Sequence, residues 1–353
     1  MTAIIESPQS AGLVAGVDAH KDAHHVVALD TQGRRIADRA FVATEHGYRE
    51  LLEWLTSLGE IARVGVESTG SYAAGLTRYL LAHGVQVIEV NQPRPHTRAR
   101  LGKDDSIDAE AAARKVLAGQ ASARPKMTTG LVESIRVLRL TRESAIKTRT
   151  QALVQLQDVL ITAPAVLREQ ITARSGRGKA TVCARLRPDL AQLDDPLHAA
   201  KFALRALARR ALELEAEIGE IDTQLDALVA RAVPTLTSKI AIGTQHAAQL
   251  LITAGQNIDR LKSEAAFARL CGVAPIPVSS GRTHRMRLHR GGDRQANRAL
   301  HMIAVCRLRY DQRTRSYAAR RAAEGLSKKD ILRCLKRFIA REVFHDLIAL
   351  DGL

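Results

Sequence analysis

Aromatic side chains are nearly missing: Phe, Trp and Tyr make up 3% of the 353 residues. The cores must therefore be built from Ala, Leu, Val and Ile, which the 46% hydrophobic content supplies. Stacking on unpaired bases can then be only a minor mode of binding. Cysteine is as sparse, and Cys183, Cys271, Cys306 and Cys334 stand far apart, so neither a zinc site nor a disulfide framework is suggested. No apolar run approaches the roughly 18 residues of a membrane span. The opening MTAIIESPQSAGLVAG also lacks the basic start of a signal peptide. A cytoplasmic protein with no membrane partner is expected. Acids are in deficit too, with 37 Asp and Glu against 53 Lys and Arg, a net charge of +16.

That surplus points to polyanions, and it is concentrated. Residues 281–350 hold 18 Lys and Arg against 6 Asp and Glu. The arginines interleave with apolar helical positions, as in ANRALHMIAVCRLRY. A folded phosphate-binding surface follows better than a solvated tail, and its affinity should fall steeply with salt through counterion release. Arg282, Arg285, Arg287, Arg290, Arg294 and Arg298 crowd one stretch, the last two beside a Gly-Gly helix start. Lys328, Lys329, Arg333, Lys336 and Arg337 recur at helical spacing and would form one basic face. Both suit contact with nucleic-acid backbones rather than base reading.

Three segments are expected. Residues 1–125 open with apolar runs of strand length, LVAGVDAH and HHVVALD, and a third candidate, RRIADRAFVAT. Strand–helix alternation follows through ARVGVEST, YAAGLTRYLLAHG, VQVIEVN and SIDAEAAARKVLAG. Three antiparallel-type strands before that alternation describe an α/β sheet in the style of ribonuclease H. Residues 126–234 are helical. Leu204, Leu207, Ala211, Leu214, Ile218, Ile221, Leu225 and Leu228 form a heptad seam, and a weaker one near 129–161 is broken by Arg142 and Arg149. An intramolecular antiparallel hairpin and self-association through the seam are both open, and the second is favoured. Residues 235–353 read as mainly helical and basic, with SSG as a flexible turn.

Asp18 ends one apolar strand and Glu67 another. A carboxylate in such a strand needs a partner or a task, because burying it unpaired is unfavourable. Asp105 and Asp108 stand three apart at a helix start. Capping explains that spacing by itself; four converging carboxylates would instead hold a hard divalent cation such as Mg²⁺. Paired metals in nucleases activate a nucleophile and stabilise the leaving oxygen.

Taken together, GVDAHKDAHHVVALD, GVESTGSY and KDDSIDA, followed by AFARLCGVAPIPVSSGRTHRMRLHRGGDRQANRAL, resemble the insertion-sequence one-ten family of transposases. These are also described as DEDD transposases or bridge-RNA-guided recombinases. The resemblance runs over nearly the whole chain. It implies a RuvC-like N-terminal domain whose four acids fall on Asp18, Glu67, Asp105 and Asp108, with Mg²⁺ or Mn²⁺ as cofactor. It places a serine nucleophile at Ser280, with Ser279 as the neighbouring alternative. It also implies cutting and rejoining of donor and target DNA through a covalent phosphoserine, guidance by a non-coding bridge RNA, and a homo-oligomer, dimer or tetramer, with composite sites.

Two motifs depart from the family pattern. Asp104 stands where Thr is common, and Ala241 and Thr244 replace the first Gly and the Pro of a frequent G-[IV]-G-P turn. From the residues themselves, Ser280 before Gly281 is a presentable hydroxyl beside arginines that can neutralise a phosphorane. No base is evident near it; His284 and His289 are as well read as phosphate contacts. Two other functions compete. An actin-like or sugar-kinase phosphotransferase predicts Gly-rich phosphate loops and no basic tail, the reverse of what is present. A Holliday-junction-type nuclease needs the acids but no Ser280.

Overall fold

The computed structural model describes residues 12–91, 104–281, 283–289 and 291–349, with side chains left undescribed at 283–285 and 288. The chain divides into two compact units: residues up to Gly130 together with Ala254–Ala266, and Leu131–Thr253 together with Phe267 onward.

The first unit is a mixed sheet between helices. Strands β1 (Leu13–Ala19), β2 (Ala23–Leu29), β3 (Arg35–Val42), β4 (Ile61–Glu67) and β5 (Val87–Val90) lie in the order β3-β2-β1-β4-β5. β1, β2 and β3 pair antiparallel, while β1–β4 and β4–β5 pair parallel. Alternate residues of a strand face opposite sides, and each side has its own core. Leu13, Ala15, Val17, Val64 and Val66 pack on helices α1 (Glu45–Leu58) and α2 (Ala74–Ala82) through Leu51, Leu55, Leu76 and Leu80. Val14, Val27, Leu29, Ile88 and Val90 meet Ala109, Ala112, Ala113 and Val116 of helix α3 (Asp105–Leu117). Gly16 and Gly65 lie under α3, where Ala112, Ala113 and Val116 sit close above the strand backbone. The segment after Ala254 returns to this unit: Asn257 Nδ2 donates to the Pro125 carbonyl, its Oδ1 accepts from the Met127 amide, and Asp259 pairs with Arg124 at 2.7 Å.

The second unit is mostly helical, as expected. Helices α4 (Gly130–Thr162) and α7 (Pro196–Ala232) run antiparallel within it. Leu156 and Leu160, late in α4, share a core with Leu204 and Ala208, early in α7. Arg142, early in α4, meets Asp222, late in α7, with N–O distances of 2.6 and 3.1 Å. Arg142 thus interrupts the apolar pattern to make an ion pair between the helices. Only half of the α7 seam is covered: Leu204, Ala211, Ile218 and Leu225 are buried, whereas Leu207, Leu214, Ile221 and Leu228 remain part-exposed. The Gly- and Arg-rich stretch between them folds as two short helices, α5 (Ala165–Gln170) and α6 (Gly176–Cys183), because Leu167, Ile171, Ala180 and Cys183 cap the same core.

Beyond helices α8 (Pro234–Thr237), α9 (Thr244–Ala254) and α10 (Glu264–Leu270), strands β6 (Pro275–Ser280) and β7 (Thr283–Leu288) form a hairpin. The expected Pro-punctuated stretch and SSG turn are therefore strand and strand end. Pro275 and Pro277 are tolerated because a two-stranded sheet leaves each strand an unpaired edge. Helices α11 (Arg294–Tyr310), α12 (Gln312–Ala323) and α13 (Lys328–Ile348) close the chain. Among the described residues, no helix is long and apolar enough to cross a membrane.

Candidate functional site

Val17 of β1 and Val66 of β4 are register partners in a parallel ladder, so Asp18 and Glu67 come next at the carboxyl ends of adjacent strands. Such strand ends, where an α/β sheet opens, are the usual place for ligand sites. α3 brings Asp105 to Asp18. His20 joins them from just past the end of β1, with its backbone amide donating to the Ala23 carbonyl at the β1–β2 turn. Its Nε2 lies 3.1 Å from Asp18 Oδ2 and 3.1 Å from Asp105 Oδ1. One ligand atom each from Asp18, His20 and Asp105 falls within 4.8 Å of the others.

Burial raises the pKa of Asp18, and the carboxylates of Asp105 and Asp108 add to that rise while His20 opposes it. A cation among these groups would relieve the like-charge repulsion, and an oxygen-rich donor set with one imidazole suits a divalent ion. The cluster fits a metal. Glu67 and Asp108 are not members of the three-residue group. Glu67 is 3% exposed, with Oε1 3.8 Å from Lys115 Nζ at the far end of α3. Asp108 is 7% exposed, in the first turn of α3. Ser68, directly after Glu67, holds a left-handed backbone (φ 57°), a conformation that strains a non-glycine residue.

Capping and cluster duties fall to neighbours. Asp104 is the N-cap of α3, its side chain accepting from the Ser106 amide at 2.8 Å. That bond is the main cause of its depressed pKa. Asp105 is thereby released toward His20. The extra acid of KDDSIDA serves the helix, and the sequence alone did not separate the two roles.

Ser279 and Ser280 are exposed at the end of β6, in the second compact unit. Ser280 pairs with Thr283 across the hairpin, and Gly281 takes φ 54° at the turn. Of the arginines that follow, Arg282 and Arg290 lie outside the described residues, as does the Arg285 side chain; Arg287, Arg294 and Arg298 are exposed. His289, Arg294, Asn297, Arg298, His301 and Lys336 line a cavity of about 490 Å³ at the start of α11. Among the described residues no carboxylate lines it, so it is a concave cationic surface suited to phosphate.

Lys328, Lys329 and Arg333 are exposed and Arg337 is half-buried. Lys336 departs from the expected solvent-facing row. It is 8% exposed, donates to Asn297 Oδ1 at 2.9 Å, and burial lowers its pKa. The start of α11 is held by Asp293, which caps the Gln295 and Ala296 amides with Oδ1 and accepts from Thr253 Oγ1 at 2.7 Å with Oδ2.

His20 is the residue that sequence reasoning missed. The signal was a histidine two residues after Asp18, just past a strand end; AHKDA reads otherwise as an ordinary polar turn.

Comparison with known proteins points to one family. Residues 15–163 match a family model for DEDD transposases of the IS110 type, described as transposase. Residues 234–319 match a second, described as transposase IS116/IS110/IS902 family. An uncharacterized 42 kDa protein of insertion element IS900 from Mycobacterium paratuberculosis is 23% identical, over 88% of this chain and 89% of its own length. An uncharacterized 43.6 kDa protein of insertion element IS110 from Streptomyces coelicolor is 24% identical, over 93% and 92% respectively.

Proposed function

Since this chain belongs to the IS110 family of transposases, we propose that it cuts and rejoins DNA with a metal-bearing acidic cluster and a serine nucleophile. Its family makes it a DNA-cutting enzyme with DNA substrates; the residue roles are our reading. The observation that carries it is the meeting of Asp18 and Asp105, from distant parts of the chain, across one His20 nitrogen. The strand order β3-β2-β1-β4-β5 supports a RuvC-like, ribonuclease-H-type sheet, with Asp18 and Glu67 at its central strand ends. Asp18 and Asp105 hold a divalent ion, Mg²⁺ or Mn²⁺, and Glu67 and Asp108 complete the acidic set around substrate. When bound, the ion polarises the scissile phosphate and neutralises developing charge.

Ser280, or Ser279 beside it, supplies the attacking hydroxyl. Its Oγ forms a phosphodiester as one backbone P–O bond breaks, so one ester replaces another and rejoining needs no outside energy. Arg287, Arg294, Arg298, Lys328, Lys329, Arg333 and Arg337 neutralise phosphates of DNA and of an element-encoded bridge RNA, with Arg282, Arg285 and Arg290 in the same basic stretch and Lys336 in the wall of its cavity. The part-exposed half of the α7 seam, Leu207, Leu214, Ile221 and Leu228, supports self-association into a dimer or tetramer.

The test is incubation with Mg²⁺, RNA transcribed from the element's flanks, and donor plus target DNA, probing for protein linked to a DNA end. The adduct is expected with the native protein and is lost in both Ser280→Ala and Asp18→Ala. Cutting without any adduct would leave a simple nuclease. Normal strand joining by Ser280→Ala would shift the nucleophile to Ser279 or discard it.

A further inference from the structure

We propose that His20 is itself a ligand of the ion, through Nε2, so that the site is a mixed nitrogen–oxygen centre that prefers Mn²⁺ to Mg²⁺. This rests on the reading above that the acidic cluster holds a divalent cation.

Three observations point to it. Nε2 stands 3.1 Å from one oxygen of each acid. In an octahedral ion with bonds of about 2.1–2.2 Å, neighbouring ligands are separated by roughly 3.0 Å, so the structure already sets the nitrogen at the edge length that coordination requires, twice. The backbone that carries the ring is anchored, since the His20 amide is tied to the Ala23 carbonyl at the hairpin. Finally, the His20 and Asp105 side chains are 46% and 50% exposed, which leaves one side of the ion open to water or a DNA phosphate oxygen.

The chemical consequence is selectivity. Mg²⁺ takes oxygen ligands and dehydrates reluctantly. Mn²⁺ also favours oxygen and stands at the weak end of the first-row series, but it accepts an imidazole more readily than Mg²⁺, so one nitrogen tips the balance toward it. A second histidine nearby supplies the contrast. His25 lies on the neighbouring strand with its Nε2 bonded to Asp38 Oδ2 at 2.9 Å, and it is not among the residues whose ligand atoms cluster with Asp18 and Asp105.

Electron spin-echo modulation of Mn²⁺ bound to the full-length protein tests this without relying on turnover. Modulation from ¹⁴N is expected in the native protein, and should convert to the ¹⁵N pattern when only histidine is isotopically labelled, a readout that needs no mutation. His20→Gln should abolish it and weaken Mn²⁺ binding by about tenfold or more, with a smaller change for Mg²⁺; even outer partners of metal ligands are typically worth 10–100-fold. His25→Gln should keep both. Mn²⁺ that binds in an Asp18-dependent way with no nitrogen modulation would overturn the His20 assignment and leave the cation site standing. Mn²⁺ binding that is absent, or indifferent to Asp18→Asn, would overturn the cation site as well.

Discussion

A Cβ added to Gly16 would stand 2.0 Å from the carbonyl oxygen of Ala109. Strand β1 and helix α3 therefore meet backbone to backbone, and that approach is what delivers Asp105 to Asp18. Gly16→Ala is expected to force α3 outward. Overpacking of this kind typically destabilises by about 1–3 kcal/mol, and here it should also abolish Mn²⁺ binding, because one ligand rides on the displaced helix. Calorimetric melting and Mn²⁺ titration on the same sample check both. Gly70→Ala, whose Cβ would meet nothing within 4 Å, should match the native protein in each. A Gly16→Ala protein that still bound Mn²⁺ normally would show that the contact does not position the site.

The adjacent acids of KDDSIDA should come apart under mutation. Asp104→Ala removes the N-cap of α3 and is expected to lower stability by about 1 kcal/mol, while Mn²⁺ still binds. Asp105→Asn keeps the cap and removes like charge beside Asp18, so stability should hold or rise while metal affinity falls. Chemical denaturation paired with Mn²⁺ titration reads the two effects separately. Equal loss of metal binding in both variants would mean that Asp104 also serves the ion.

How much of this was legible follows from what each residue's signal depends on. Apolar strand runs ending in Asp18 and Glu67 stand out because burial demands them, and the first unit's strands and helices lie close to where periodicity puts them. Hairpin β6–β7 did not stand out. Its strands read PIPVSS and THRMRL, with prolines in one and cations in the other, so neither shows the alternating apolar face that marks a strand. The burial of Lys336 was equally hidden, since its Asn297 partner is brought by another helix. His20 needed Asp105 to arrive from α3 before its place had meaning. Each omission involves a contact between distant segments, which local pattern does not encode.

His24 predicts how the first unit responds to acid. It is fully buried in β2, with its ring stacked on Tyr48 at 5.7 Å, and burial holds its pKa below the ordinary 6.5. In the unfolded chain the same ring protonates at its usual value. Its contribution to stability is therefore whole above about pH 6.5 and is lost as pH falls from there toward the folded pKa. His24→Phe keeps an aromatic ring beside Tyr48 and removes the proton. Between about pH 7.5 and 5, its melting temperature should fall less than that of the native protein. Parallel profiles would show that His24 is not kept neutral by the fold.

Ala241 is held at φ 68°, in the left-handed region, at the position where related sequences commonly carry glycine. Thr244, three residues on, is the first residue of α9, a site that suits the proline those sequences have there. The turn thus takes a left-handed bend without the residue best fitted to it, and Ala241 bears the strain. For an L-residue that conformation is unfavourable by about 1–2 kcal/mol, whereas glycine's greater freedom in the unfolded chain offsets about 0.4–1 kcal/mol of any gain. The strain term is the larger, so Ala241→Gly should stabilise the second unit by about 0.5–1 kcal/mol. The same exchange at Ala152, buried in mid-helix with ordinary helical backbone, should lose about 1 kcal/mol. Opposite signs for one chemical change, read by denaturant unfolding, would tie the effect to backbone conformation; loss of stability at both sites would mean that the turn at Ala241 is unstrained in solution.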